Sequence, residues 1–202
     1  MTDGKPGEAP HIINNSWTCD VKEGCEGTEI LPIVQALYKA GILVVASAGN
    51  EGPNCETISL QPASLTGYVL SVGAINHRNN SIADFSSRGP SAHDGGLGPL
   101  VVAPGVGIRS SVPGSNYAGG WDGTSMAGPH VAGLVALLWS AHPELIGNIQ
   151  KTISVIEGSA VPTKSSENCG GIAGETIPNN TAGFGRIDAY QTLTRAAKED
   201  LR

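Results

Sequence analysis

Residues 123–133 read GTSMAGPHVAG and open the longest apolar segment of the chain, Met126–Trp139. Proline is tolerated in the first turn of a helix, so Pro129 predicts a helix that begins near Thr124. Ser125 then lies at or next to the helix N-terminus, where free N–H groups and the helix dipole favour negative charge. The small residues around it would let a substrate backbone approach closely, as a serine nucleophile requires. An ordinary N-cap serine is the alternative explanation.

The segments before this helix alternate between strand-like and helix-like patterns. Uninterrupted apolar runs at 42–46, 69–74 and 100–103 predict strands that are buried on both faces, and residues 11–16 form a shorter β-like run. Residues 28–40 have apolar side chains at helical spacing. Strands that alternate with helices predict an α/β fold with a parallel sheet and helices packed on its faces.

The region after residue 139 contains two further helical patterns, at 149–156 and 186–197. Residues 159–183 between them are polar and rich in glycine and proline, which predicts a long surface loop. No repeat or linker divides the sequence, so residues 1–202 are predicted to form a single domain.

Composition excludes several classes of function. The 202 residues are 40% hydrophobic and 15% charged, with a net charge of −6 and only 12 Lys and Arg residues. An acidic chain with no basic run is not expected to bind nucleic acid. No apolar stretch reaches the roughly 18 residues that a membrane span needs, so no membrane association is expected. The first ten residues have no apolar core typical of a signal peptide.

The cysteines show neither redox nor zinc-site spacing. Cys19 and Cys25 are separated by five residues, which predicts a short disulfide loop and leaves Cys55 to pair with Cys169. Free buried thiols are the alternative. Two disulfides would place the protein in an oxidising compartment.

A second candidate motif follows the run at 42–46. Residues 46–53 read ASAGNEGP and place Asn50 just beyond the end of a predicted buried strand. Ligand sites in parallel sheets lie at the carboxyl ends of the strands. An asparagine amide there can donate a hydrogen bond to a developing oxyanion, although a plain turn would also explain this sequence.

These two motifs resemble segments of the subtilisin-like serine peptidases, the subtilase family. Further matching segments follow the order of that family: INNSW at 13–17, ADFSSRGP at 83–90, APG at 103–105 and GFGRIDA at 183–189. The resemblance implies a three-layer α/β fold with a parallel sheet. It also implies that the N-terminal strands and helices of that fold are absent, so that the chain corresponds to the C-terminal part of the catalytic domain.

The resemblance assigns a role to individual residues. Ser125 would be the nucleophile, and Asn50 would supply the oxyanion-hole side chain beside the Ser125 backbone N–H. Two segments would line the substrate cleft and pair with an extended peptide: Ser16, Trp17 and Thr18, and Ser47, Ala48 and Gly49. Thr18 stands where the family often has glycine, which would narrow the cleft.

The family also uses an aspartate and a histidine, and neither of their motifs occurs in this sequence. The histidines of the chain are His11, His77, His93, His130 and His142. None of them lies in a matching context. Asp122 is better explained as a turn residue, because no histidine is available for it to orient. The chain alone is therefore expected to be nearly inactive.

The sequence thus predicts part of a serine endopeptidase that cleaves proteins or peptides, with the aspartate and histidine on a missing N-terminal segment. A non-catalytic peptide-binding module, or pseudopeptidase, is the alternative. The chemistry requires no cofactor. Calcium often accompanies the family, but no EF-hand loop or compact acidic cluster is present, so no metal ligand is assigned. The cysteines and the resemblance predict an extracellular location.

Overall fold

Four parallel strands form the main sheet of the molecule. The computed structural model describes residues 6–25 and 27–199. The strands are Ile12–Asn15 (β1), Leu43–Ser47 (β2), Leu70–Ile75 (β3) and Val101–Pro104 (β4), and they lie side by side in chain order. The register pairs Ile12 with Leu43, Val45 with Leu70 and Val72 with Val101. The predicted parallel α/β sheet is confirmed.

Helices cover both faces of this sheet and give the fold three layers. They are Leu31–Lys39 (α1), Thr124–Ala141 (α2), Ile149–Ser159 (α3) and Ala189–Glu199 (α4), with short 3₁₀ turns at Pro6–Glu8, Val21–Glu23 and Pro143–Leu145. Leu43 and Val45 of β2 belong to the core cluster that contains α2, whereas Val44 and Ala46 pack with Val34 of α1. Because successive strand residues point to opposite faces, α1 and α2 lie on opposite sides of the sheet.

The helix α2 is packed against all four strands. It buries Val131, Val135 and Leu138 completely. Burial of such side chains contributes roughly 1.5–3 kcal/mol each. The predicted start of this helix is confirmed, because Thr124 is its first residue. Within residues 6–25 and 27–199, α2 and the other helices all fall short of the combined length and apolarity of a membrane span.

An antiparallel hairpin was not predicted from the sequence. It consists of Ile108–Val112 (β5) and Asn116–Trp121 (β6). Most of its side chains are exposed, and its serine and glycine residues give no apolar alternation. The period-2 pattern that identifies a half-buried strand is therefore missing.

The prediction of a surface loop over 159–183 is only partly right. The segment contains two short paired strands, Asn168–Cys169 (β7) and Ile172–Ala173 (β8), and residues 179–183 are buried. Asn179 is fully buried and makes five hydrogen bonds to backbone groups of this segment. Polar residues of the segment 159–183 such as Asn179 therefore form hydrogen bonds inside the protein instead of contacts with water.

Both predicted disulfides are present. Cys19 is bonded to Cys25, and Cys55 is bonded to Cys169 across a separation of 114 residues. The first bond closes a loop directly after β1. The second ties the 159–183 segment to the loop that follows β2.

Candidate active site

The N-terminus of α2 meets the carboxyl ends of β1 and β2. Ser125 is the second residue of the helix, Ser16 follows β1, and Asn50 lies three residues beyond β2. Strands of a parallel sheet end at the same edge, so the chain brings these three residues together although they are far apart in sequence. The two motifs on which the sequence analysis depended therefore form one site.

The Asn50 amide is oriented by Thr124. The Thr124 backbone N–H and its hydroxyl both donate to Asn50 Oδ1, each at 2.9 Å. Because these donors occupy the amide oxygen, the Nδ2 group is left as a donor. Asn50 is solvent-exposed, so this donor can reach a bound molecule beside Ser125. This is the arrangement that an oxyanion hole requires.

Sequence reasoning placed Thr124 at the start of α2 but did not identify its contact with Asn50. The Thr124 side chain is 1% exposed, and its hydroxyl also accepts from Gly49 N at 3.3 Å. The signal that could have revealed it is a buried hydroxyl residue placed directly before the nucleophile at a helix start. Its partner lies 74 residues away along the chain, which no local pattern shows.

A pair of serines joins β1 to the helix. Ser125 Oγ donates to the Ser16 carbonyl at 3.3 Å, and Ser16 Oγ donates to the Ser125 carbonyl at 3.2 Å. Pro129 explains the second bond. It has no N–H for the carbonyl four residues earlier, so the Ser125 carbonyl takes its hydrogen bond from outside the helix. Ser47 Oγ similarly donates to the Thr124 carbonyl at 3.0 Å.

A cavity of about 90 Å³ lies beside Ser125. It is lined by Ser16, Trp17, Thr18, Ser47, Gly49, Asn50, Glu51, Thr124 and Ser125. Seven of the eight residues assigned from the sequence are among them. Ala48 is the exception, because its side chain is buried in the core cluster around α1 and its backbone N–H donates to the Val72 carbonyl. Glu51 and Thr124 line the cavity without having been predicted to do so.

A wider groove of about 360 Å³ lies on the other side of Ser125. Its walls are the β5–β6 hairpin and the first turns of α2. It is lined by Ile108, Arg109, Ser110, Ser111, Trp121, Met126, Pro129 and His130, together with Ser125 itself. Trp121 remains 47% exposed, so this groove presents an uncovered aromatic surface.

Two histidine rings hydrogen-bond to backbone carbonyls and not to Ser125. His130 Nδ1 is 2.8 Å from the Met126 carbonyl, and His77 Nδ1 is 3.1 Å from the Val106 carbonyl. Within the part of the chain that the structure describes, no histidine ring nitrogen is hydrogen-bonded to Ser125. Asp122 accepts a hydrogen bond from Gly107 N at 2.6 Å, in keeping with a turn role.

The side chains that most often bind metal ions are dispersed in the described part of the chain. The described residues contain no group of three or more His, Cys, Asp or Glu side chains that could hold a metal ion. Calcium prefers six to eight oxygen ligands that include carboxylates.

The chain is similar to subtilisin-like proteases in sequence and structure. The sequence pattern of the subtilase family matches residues 7–185. Bacillopeptidase F of Bacillus subtilis (strain 168) is 37% identical over 94% of this chain and 12% of its own length. Subtilisin of Bacillus pumilus is 41% identical over 57% of this chain and 39% of its own length. The structure of the prenylagaramide maturation protease PagA has a TM-score of 0.69 and 26% identity, over 94% of this chain and 62% of its own. The chain thus spans less than two fifths of these two curated relatives.

Proposed function

The chain belongs to the subtilase family, and on that premise we propose that it is the part of a serine endopeptidase that carries the nucleophile Ser125 and the oxyanion-hole residue Asn50. The observation that supports this most strongly is the orientation of the Asn50 amide. Thr124 occupies the amide oxygen and leaves the Nδ2 donor available next to Ser125.

The chemistry follows from this geometry. Ser125 Oγ attacks the carbonyl carbon of the scissile peptide bond while a base takes its proton. The carbonyl oxygen becomes an oxyanion, which the Asn50 Nδ2–H and the Ser125 backbone N–H stabilise. The proton is then given to the leaving amine, and an acyl-enzyme remains on Ser125. Water hydrolyses that ester and restores the hydroxyl.

The substrate would be an extended protein or peptide segment. We infer that it lies between the segment 16–18 and the segment 47–49, because all of these residues except Ala48 line the cavity. Asn15 Nδ2 donates to the Trp17 carbonyl at 2.7 Å, and Cys19 N donates to the Gln61 carbonyl at 2.9 Å. These bonds anchor the backbone at Trp17 and at Cys19, so a peptide would meet a segment that the chain already holds in place.

The base and its aspartate partner are proposed to lie on a preceding N-terminal segment. The cavity side of Ser125 already holds Asn50, so the base would reach Ser125 Oγ from the groove beside Trp121. The two disulfides support an oxidising, extracellular location. We assign no structural calcium.

The proposal is tested by peptide hydrolysis. The 202-residue chain is made alone and with the coding sequence that precedes it, once that sequence is known to include the aspartate and histidine. We expect hydrolysis of an unstructured peptide by the extended protein, and none by its Ser125→Ala variant. A folded extended protein that contains both residues and still fails to cleave any peptide in a mixed library would refute the proposal.

One observation favours a second function. In the described part of the chain Ser125 donates to a backbone carbonyl and to no histidine, as a peptide-binding module without catalysis would also show. Such a module would bind extended peptides with the same affinity before and after Ser125→Ala. The peptidase would instead turn over the peptide, and only its variant would form a lasting complex.

A further inference from the structure

An ion pair between Arg88 and Glu167 lies at the turn formed by residues 83–88, which contacts the loop that carries Asn50. Arg88 Nε donates to Glu167 Oε2 and Arg88 Nη2 donates to Glu167 Oε1, both at 2.9 Å. The arginine side chain is 1% exposed and the glutamate side chain 33% exposed. A guanidinium at this depth depends on its carboxylate, because removal of one partner leaves an uncompensated buried charge. The paired, two-bond geometry also fixes the orientation of the arginine.

The same guanidinium holds together the turn formed by residues 83–88. Arg88 Nη1 donates to the Ala83 carbonyl at 2.9 Å and also to the Ser86 carbonyl. The Ser86 hydroxyl accepts from Ala74 N at 3.0 Å, which attaches the turn to β3. Arg88 therefore joins two carbonyl groups within the turn, and Ser86 attaches the turn to the sheet.

This turn contacts the chain on both sides of Asn50. Ser87 N donates to the Gly49 carbonyl at 3.0 Å. Ser87 Oγ accepts from Glu51 N at 3.1 Å and donates to Glu51 Oε2 at 2.8 Å. The backbone of Asn50 thus lies between two residues that a single serine of the turn holds in place.

The disulfide at Cys55 keeps the glutamate within reach of this turn. Glu167 lies two residues before Cys169, which is bonded to Cys55. Asn180 Nδ2 donates to the Cys169 carbonyl at 3.1 Å and adds a second attachment. Glu167 therefore comes from a segment far along the chain that is anchored next to the Asn50 loop.

We propose that Arg88 and Glu167 are positioning residues for Asn50, an inference that rests on the proposed role of Asn50 in the oxyanion hole. Stabilisation by a preorganised donor depends on where that donor points, so small displacements reduce it. Thr124 sets the direction of the amide, and the Arg88–Glu167 pair sets the position of the backbone from which the amide extends. Neither residue touches the cavity beside Ser125.

The chain offers a matched control in the same segment. Lys164 and Glu175 form an ion pair at 3.3 Å whose side chains are 63% and 69% exposed. Glu167→Gln and Glu175→Gln each remove one negative charge from an ion pair. Only Glu167→Gln leaves a buried arginine without its carboxylate. Glu167→Asp keeps the charge and shortens the reach, so it serves as a second variant if Glu167→Gln does not fold.

Hydrogen exchange on the 202-residue chain is the first measurement. Glu167→Gln is expected to accelerate exchange of the amides of residues 49–52 by roughly tenfold over wild type, as loss of one or two net hydrogen bonds would do. Glu175→Gln should leave them unchanged, and Glu167→Asp should lie between. Equal exchange at 49–52 in folded Glu167→Gln and Glu175→Gln proteins would overturn the proposal.

Kinetics of the extended protein are the second measurement. A displaced oxyanion donor weakens the transition state only, so Glu167→Gln should lower kcat roughly tenfold with KM unchanged. A rise in KM at constant kcat would contradict the positioning role. If wild type itself shows no turnover, the proposed peptidase function fails, while the exchange comparison still decides whether the ion pair positions the loop.

Discussion

Ser125 borders a cavity on one side and a groove on the other, and the described residues supply more of the expected catalytic groups in the cavity than in the groove. On one side, hydrogen bonds from Thr124 and Ser47 fix the helix start and the Asn50 amide around a cavity of about 90 Å³. On the other side, a groove of about 360 Å³ separates α2 from the β5–β6 hairpin and leaves Trp121 half-exposed. On the first side, the described residues orient a candidate oxyanion donor, the Asn50 amide. On the second side, no histidine among the described residues hydrogen-bonds to Ser125, although His130 lines the groove.

The two sides correspond to two separate requirements of the proposed activity. Oxyanion stabilisation needs preorganised donors, and the oriented Asn50 amide is a candidate for one of them. Proton transfer needs a base within hydrogen-bond reach of Ser125 Oγ. Substitutions on each side should therefore have separate effects, which range from loss of turnover to a change in affinity.

Removal of the nucleophile should abolish turnover. Ser125→Ala in the extended protein is expected to lower kcat by a factor on the order of 10⁶, the loss found when subtilisin loses its serine. The measurement is peptide hydrolysis followed over days, with Ser140→Ala as control because Ser140 lies near the exposed far end of the same helix. Residual activity within tenfold of wild type would assign the chemistry to another residue.

Removal of the amide donor should damage only the cavity side. Asn50→Leu is expected to lower kcat by about 10²–10³ with little change in KM, the range found for the oxyanion asparagine of subtilisin. Asn54→Leu is the control, since Asn54 is exposed in the same loop. Equal kcat values for these two variants would remove Asn50 from the mechanism.

Thr124 offers a finer test of the same side. Thr124→Val keeps the backbone donor to Asn50 and deletes the hydroxyl donor, so kcat should fall by roughly tenfold, the worth of one net hydrogen bond. Thr124→Ser keeps the hydroxyl and should retain most of the activity. If the valine variant matched the serine variant, the hydroxyl would not be needed to orient the amide.

A substitution in the groove should change the affinity for the N-terminal segment and not the chemical step at Ser125. If the base approaches through the groove, Trp121→Ser should weaken binding of a separately made N-terminal segment by roughly tenfold, because burial of a half-exposed tryptophan is lost. Titration calorimetry would measure this, with Ile172→Ser as a control on the remote strand β8. Unchanged affinity would place the segment elsewhere.

The sequence was most informative where one local pattern decides one feature. Pro129 and the apolar run after it located the start of α2, and continuous apolar runs located three strands. The contact between Thr124 and Asn50 was not predicted, because the two residues are 74 positions apart in the sequence. Asn179 looked like a loop residue because polar composition does not show that its partners are buried backbone groups. The β5–β6 hairpin was not predicted because most of its residues are exposed, so its sequence has no alternation of apolar and polar residues.

Labelling by a fluorophosphonate probe tests the contrast between the two sides most directly. The 202-residue chain is treated alone and after addition of the N-terminal segment, and mass spectrometry locates the adduct. A base on the N-terminal segment predicts slow labelling of the chain alone and rapid labelling of the complex, with the adduct on Ser125 in both. Equally rapid labelling of the chain alone would contradict it, because it would show that this chain already supplies a base to Ser125.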